Sequence, residues 1–138
     1  MTVNEILKYN KMIKSIIDES NEINSLVKFK LLGILKQFEP VVQNFEIIKN
    51  DAIMKYGEIN EQGVYAIKPP NIKDYGDEES YITAEKQFKE SLDKFNEDVD
   101  KIAKSEVDIK LSKIKYTDIM NAGVPAEYLV AIYDFIEE

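Results

Sequence analysis

The sequence predicts a mostly helical α+β fold: an antiparallel helical bundle of long, coiled-coil-like helices with a small β-hairpin-like sheet. Three observations carry this. Apolar residues recur at steps of four and three through two long stretches, the signature of helices with one buried face. The run Val64-Tyr65-Ala66-Ile67 stands between Gly63 and Pro69-Pro70, as a short strand bounded by turn residues does. In 106–116, EVDIKLSKIKY, apolar and charged residues alternate, a strand pattern. At 138 residues the chain is long enough for one genuine core and is expected to form a single domain.

The first helix is predicted over 3–18. Thr2 and Glu5 fit a capping box, in which each side chain satisfies the other's free amide. Ile6, Tyr9, Ile13 and Ile16 form its apolar stripe, widened by Met12 and Ile17. A polar turn follows, in which Ser20 or Asn21 can cap the next helix.

The second helix is predicted over 23–56, closing a helical hairpin over 1–57. Its seam is Val27, Leu31, Ile34, Phe38, Val41, Phe45, Ile48 and Ala52, spaced 4-3-4-3-4-3-4 without slipping at Pro40. An interior proline costs about 3 kcal/mol, whereas a buried seam residue contributes about 1.5–3 kcal/mol. The unbroken phase therefore predicts a kink at Pro40 and not a break. Gly57 is expected to end this helix in the left-handed conformation.

Residues 58–80 read as a loop with the short VYAI strand and an acidic end. The third helix is predicted over 81–104, with a seam of Tyr81, Phe88, Leu92, Phe95, Val99 and Ile102. In 105–138 a strand and a terminal helix follow, and VYAI is expected to pair with VDIKL (107–111). The alternation slips phase at Ser112, and a bulge there would return Ile114 and Tyr116 to the core side. Pro125 suits the first position of a final helix running through AEYLVAIYDFIEE.

Composition narrows the chemistry. The chain has no histidine and no cysteine, which removes the usual general base, the commonest metal ligand and thiolate chemistry. The reading is a non-enzyme with no cofactor. A metal would have to be a hard ion held by carboxylates, and no EF-hand-like loop is present. All 18 basic residues are lysine and the net charge is -8, so direct nucleic-acid binding is not expected. No stretch approaches the roughly 20 apolar residues of a membrane span, and the N-terminal residues lack a secretion signal's apolar core. The expected location is the cytoplasm. Charge is uneven: 1–57 is net +1 and 58–138 is net -9.

Candidate functional features each admit two readings. The seam of helix two fits either this chain's own core or an interface with a second chain, so a homo-oligomer is possible. Four acid–lysine pairs on helix three at i, i+4 (Glu85–Lys89, Glu90–Lys94, Glu97–Lys101 and Asp100–Lys104) describe a solvated face. Asp93 and Asp98 are surplus to it. With Asp74, Asp77, Glu78 and Glu79 they can form a negative surface for a partner, or one that imitates nucleic-acid phosphates. Asp93, Glu97 and Asp100 share a helix face but lack convergent ligands for a divalent ion. The terminal segment, with Tyr128 and Tyr133, is either buried in the core or a docking peptide for a partner's groove.

Phe38-Glu39-Pro40 inside a second helix, Lys55-Tyr56-Gly57-Glu58, the glycine-led strand, and the ending EVDIKLSKIKYTDI…VPAEYLVAIYDFIE resemble a small protein family of phages and prophages of low-G+C Gram-positive bacteria. Val124 departs from it, standing where a serine-type cap is expected before Pro125. The resemblance implies phage origin and an infected bacterial host, and brings no catalytic residue with it. The leading expectation is a phage protein that binds a host or phage protein, inhibiting or modulating a host defence machine. The alternatives are a virion or tail-assembly component, an acidic nucleic-acid mimic, and an enzyme using carboxylate-bound Mg²⁺.

Overall fold

The computed structural model describes residues 1–19, 22–120 and 122–138; the predicted caps Ser20 and Asn21 lie outside them. The protein is mostly α-helical with a little β structure. It forms two compact units, Met1–Gln43 with Ser105–Glu138, and Asn44–Lys104.

The first unit opens with α1, Val3–Glu19. The capping box forms as expected: the Thr2 amide donates to Glu5 Oε2 at 2.7 Å, and the Glu5 amide donates to Thr2 Oγ1 at 3.2 Å. The next helix, α2, runs Ser25–Tyr56 and continues through Pro40. Its start is capped by Asn24, whose Oδ1 accepts from the Leu26 amide at 2.8 Å. Within this unit α2 contributes Val27, Leu31, Ile34 and Phe38, all fully buried. They meet Ile6, Ile13 and Ile16 of α1 and Ile114, Ile132 and Phe135 of the C-terminal segment. Phe135 is wedged between aromatic neighbours, edge-on to Tyr9 at 4.8 Å and to Phe38 at 6.0 Å.

The C-terminal segment differs from the expected strand and helix. VDIKL pairs with neither VYAI nor any other long strand among the described residues. Val107, Ile109 and Leu111 do turn towards the core, so the alternation located burial correctly. The backbone finds other partners. The Val107 amide donates to the Met1 carbonyl at 2.8 Å. Gln37 supplies the next pair: its Nε2 donates to the Lys110 carbonyl at 3.0 Å and its Oε1 accepts from the Ser112 amide at 2.9 Å. A side-chain carboxamide here does what a neighbouring strand's peptide would do.

After the phase slip, Ile114 returns to full burial, but Tyr116 stays exposed because it begins a helical turn. The strand is β3, Ile114–Lys115, followed by α4, Tyr116–Ile119. Half-buried Lys30 and Asp118 join α2 to α4 at 3.0 Å. The predicted final helix is only six residues, α5, Ala126–Ala131, with Pro125 as its cap and not its first residue. A 3₁₀ turn, Tyr133–Phe135, ends it, and β4, Ile136–Glu137, pairs in parallel with β3. The reason is burial. A segment apolar on every side cannot bury all sides as a helix at a surface; the turn sends Ile132 and Phe135 inward and leaves Val130 and Tyr133 out.

The second unit comprises the rest of α2, a ribbon and α3. The ribbon strands are β1, Glu58–Ile59, and β2, Tyr65–Ala66, paired antiparallel. Thus VYAI pairs with its immediate predecessor, which closes a short loop at lower entropy cost than a distant partner would. The turn has its own chemistry: Asn60 Oδ1 accepts from the Gln62 and Val64 amides, and Gly63 adopts φ +78°. Gly57 does not take the expected left-handed conformation. It is required for closeness instead, since a Cβ there would lie 2.5 Å from the Ile53 carbonyl oxygen and 2.8 Å from that of Ala66. The last helix of the unit, α3, spans Glu78–Ala103, three residues earlier at its start than the apolar seam indicates.

Two consequences are measurable. Gln37→Leu removes both partners of the 110–112 backbone and is expected to cost about 1 kcal/mol. Its specific sign is faster hydrogen exchange at the Ser112 amide; unchanged exchange would assign that protection elsewhere. The Tyr9 hydroxyl donates to Asp134 at 2.6 Å, and this bond, with burial, pushes its pKa up to about 12. A folded-state pKa above the ordinary tyrosine value of about 10 adds stability that is complete below that pH and lost as pH rises through the folded value. Tyr9→Phe should therefore lose less stability than the parent between about pH 10 and about pH 12, measured by urea unfolding. Equal losses would exclude the Asp134 bond as the source.

Candidate functional site

The second unit is built from two helices and a ribbon, and that sets its surface. Two helices meet along one line, so each seam residue is covered from one side only. On α3 the predicted seam of Tyr81, Phe88, Leu92, Phe95, Val99 and Ile102 is half-buried throughout, and no residue of the helix is fully buried. On α2, Phe45 is half-buried and Ile48, expected in the core, is 40% exposed; Ala52 is buried. Across Asn44–Lys104, Ala52 is the only buried apolar residue, whereas Ile47, Met54, Ile59, Ile72 and Ile82 are each more than half exposed. The first unit exposes large apolar residues too, Phe29, Met120 and Val130 among them, but it also encloses a core; this unit exposes them with almost none enclosed.

One polar bond ties its helices. The Tyr56 hydroxyl donates to Asp98 Oδ2 at 2.7 Å in a half-buried setting. Asp98, predicted as part of a partner surface, therefore has an internal role. Asp93 is exposed and stands five residues away on the same helix, about 140° round the axis. The two do not share a face.

The acids at the start of α3 also acquire a structural role. Asp77 is the helix cap: its Oδ1 accepts from the Ser80 amide at 2.6 Å and its Oδ2 from the Ser80 hydroxyl at 3.0 Å. These bonds, the backbone one first, hold its carboxyl below the usual aspartate range. Glu78 and Glu79 occupy the first turn, where negative charge meets the positive end of the helix dipole. Among the described residues no group of three or more His, Cys, Asp or Glu is placed to hold a metal ion.

Beside this helix start lies a groove. A pocket of about 300 Å³ opens between the ribbon and α3, with Tyr56, Ile59, Ala66, Ile67 and Phe88 among its walls. A second hollow of about 540 Å³, lined by Asp77, Glu79, Ser80 and Thr83, shares Tyr75, Ala84 and Gln87 with the first. Tyr75 stands edge-on to Tyr81 at 6.0 Å, which fixes the ring that both hollows use.

The tyrosines predicted for docking lie in the first unit. Tyr128 is half-buried and donates its hydroxyl to Glu19, which raises its pKa. Tyr133 is 74% exposed and lines a separate hollow of about 530 Å³ with Lys113, Tyr116 and Ile136. The predicted site residues thus fall into three places: Asp77, Glu78 and Glu79 at the α3 start, Asp93 and Asp98 farther along it, and Tyr128 and Tyr133 in the other unit.

Sequence reasoning missed the apolar residues on the exposed side of α2 in this unit. Ile47 and Met54 are seven apart, a spacing that puts them on one face away from the Phe45–Ala52 seam. That second row was legible. It is overshadowed by the stronger first row.

No protein-family model, curated protein or solved structure matches the chain. No helix among the described residues is long and apolar enough to cross a membrane.

The cap role of Asp77 separates from a charge role by substitution. Asp77→Ala is expected to destabilise the protein by about 1 kcal/mol, whereas Asp77→Asn caps nearly as well and removes only the charge. Thermal unfolding of the two variants reads this directly. Identical midpoints would mean that the Ser80 bonds contribute nothing.

Proposed function

We propose that this chain is a non-enzymatic phage protein that works by binding another protein, and that its target is a host machine, such as a defence nuclease, which it inhibits or modulates. One observation carries the binding part of this reading. The Asn44–Lys104 unit leaves six large apolar residues, Ile47, Met54, Ile59, Val64, Ile72 and Ile82, more than half exposed while burying a single small one. Among them, Ile47 and Met54 stand seven apart on one exposed face of α2, and apolar residues grouped on an exposed face are where a partner gains contact. The absence of histidine and cysteine favours binding over catalysis. The phage setting rests on the sequence resemblance alone.

The experiment is an affinity capture from phage-infected host lysate, with size-exclusion light scattering on the purified protein beside it. A monomeric bait should recover a host defence factor. Replacing Ile47, Met54 and Ile82 together with aspartate should abolish capture and leave helicity unchanged, because these side chains are exposed. Recovery of tail or capsid proteins, or self-association of the bait, would replace this reading with an assembly role. Undiminished capture by the triple variant would move the binding surface off this unit.

A further inference from the structure

Resting on the protein-binding reading, we propose that the groove between the β1–β2 ribbon and the first turns of α3 receives an extended segment of the partner in which basic and apolar residues alternate. Shape gives the length. The walls on α3 run from Asp77 at the cap to Ser91, about 20 Å at 1.5 Å per residue. That is the span of about six residues in extended form.

Extended geometry gives the alternation, since successive side chains point to opposite sides, and the walls give the two residue types. At one end the walls are Tyr56, Ile59, Ile67 and Phe88, suited to aliphatic side chains. Along the groove stand the carboxylates Glu58, Asp77 and Glu79, against the single cation Lys68. Asp77 stays ionised because Ser80 bonds its charged form. A helix start normally invites anions, but here three consecutive acids already occupy it. An acidic or phosphate-bearing segment meets repulsion there.

The same charge argument chooses between occupants. Asn44–Lys104 contains 14 acids and 9 lysines, and the whole chain is net -8. A second copy would bring like charge to like, and nucleic acid would do so more strongly. A partner segment carrying lysine or arginine between apolar residues satisfies both the walls and the rim. Exposed backbone on such a segment stays hydrated on its outer side, so the groove need not enclose it.

The test uses ¹⁵N-labelled full-length protein and a capped octapeptide alternating lysine and valine. Saturable shifts are expected at the amides of Ile59, Ala66, Tyr75 and Gln87. Gln87→Lys with Glu79→Lys, both at exposed positions, should weaken binding about fivefold or more. Ala84→Gln, which fills the junction of the two hollows, should weaken it as well. A glutamate–valine octapeptide should leave these amides unmoved. The proposal is overturned if the acidic peptide binds equally, or if an octalysine peptide produces the same shifts with the same affinity, since charge alone would then suffice. Shifts spread over the acids of 105–138 overturn it too. The two readings fail separately. Normal partner capture by the Gln87→Lys, Glu79→Lys protein sinks the groove and spares the protein-binding function. Specific peptide binding by a chain that captures no partner does the reverse.

Discussion

The first unit depends on how Phe135 is buried. Its ring sits edge-on to both Tyr9 and Phe38 with no exposed surface, so α1, α2 and the chain's last residues are closed by one side chain. Burying a phenylalanine contributes about 1.5–3 kcal/mol, with more from the aromatic geometry. Much follows from that placement. The helix before it must end early, Ile136 is drawn beside Ile114, and Asp134 comes within reach of the Tyr9 hydroxyl. The short α5 and the parallel two-residue ladder are consequences of this one burial.

No such centre exists in the second unit. Two helices and a ribbon have no third layer, and a side chain at their seam keeps one flank in water. Exposed isoleucines and a groove beside the ribbon are what this geometry produces. Within one chain, then, both units leave large apolar residues exposed, Phe29, Met120 and Val130 in the first and Ile47, Met54 and Ile82 in the second, but only the first also encloses an extended core. The functional reading rests on the thin cover over the second unit's apolar residues and not on any arrangement of reactive groups.

The acids look different in the structure than as a list. Asp77 caps α3, Glu78 and Glu79 complement its first turn, and Asp98 holds Tyr56. Of the other two predicted acids, Asp74 ends the 3₁₀ turn Ile72–Asp74, and Asp93 lies exposed on α3 away from the helix start. A helix that must start within a glycine-flanked loop needs such groups. Their remaining capacity is electrostatic: they set the sign of the groove beside them.

Local physics made much of this readable beforehand. The Thr2–Glu5 capping box, the α1 stripe, the continuity of α2 through Pro40, and inward Val107, Ile109 and Leu111 all depend on side chains a few residues apart. Those distances are fixed by helix and strand periodicity. The candidate acids were likewise legible as acids, but not as caps, because a cap requires knowing where the helix begins. What periodicity could not supply was partner choice. Whether VYAI pairs with Glu58–Ile59 or with VDIKL, whether Gln37 replaces a strand, whether Gly57 is chosen for closeness, and whether Ile48 is covered all depend on what stands opposite. Periodicity specifies which faces are apolar and, for the long helices α1, α2 and α3, roughly where they run. Only the tertiary structure decided which of those faces found a partner within the chain, because burial is a property of two surfaces and each stretch of sequence specifies one.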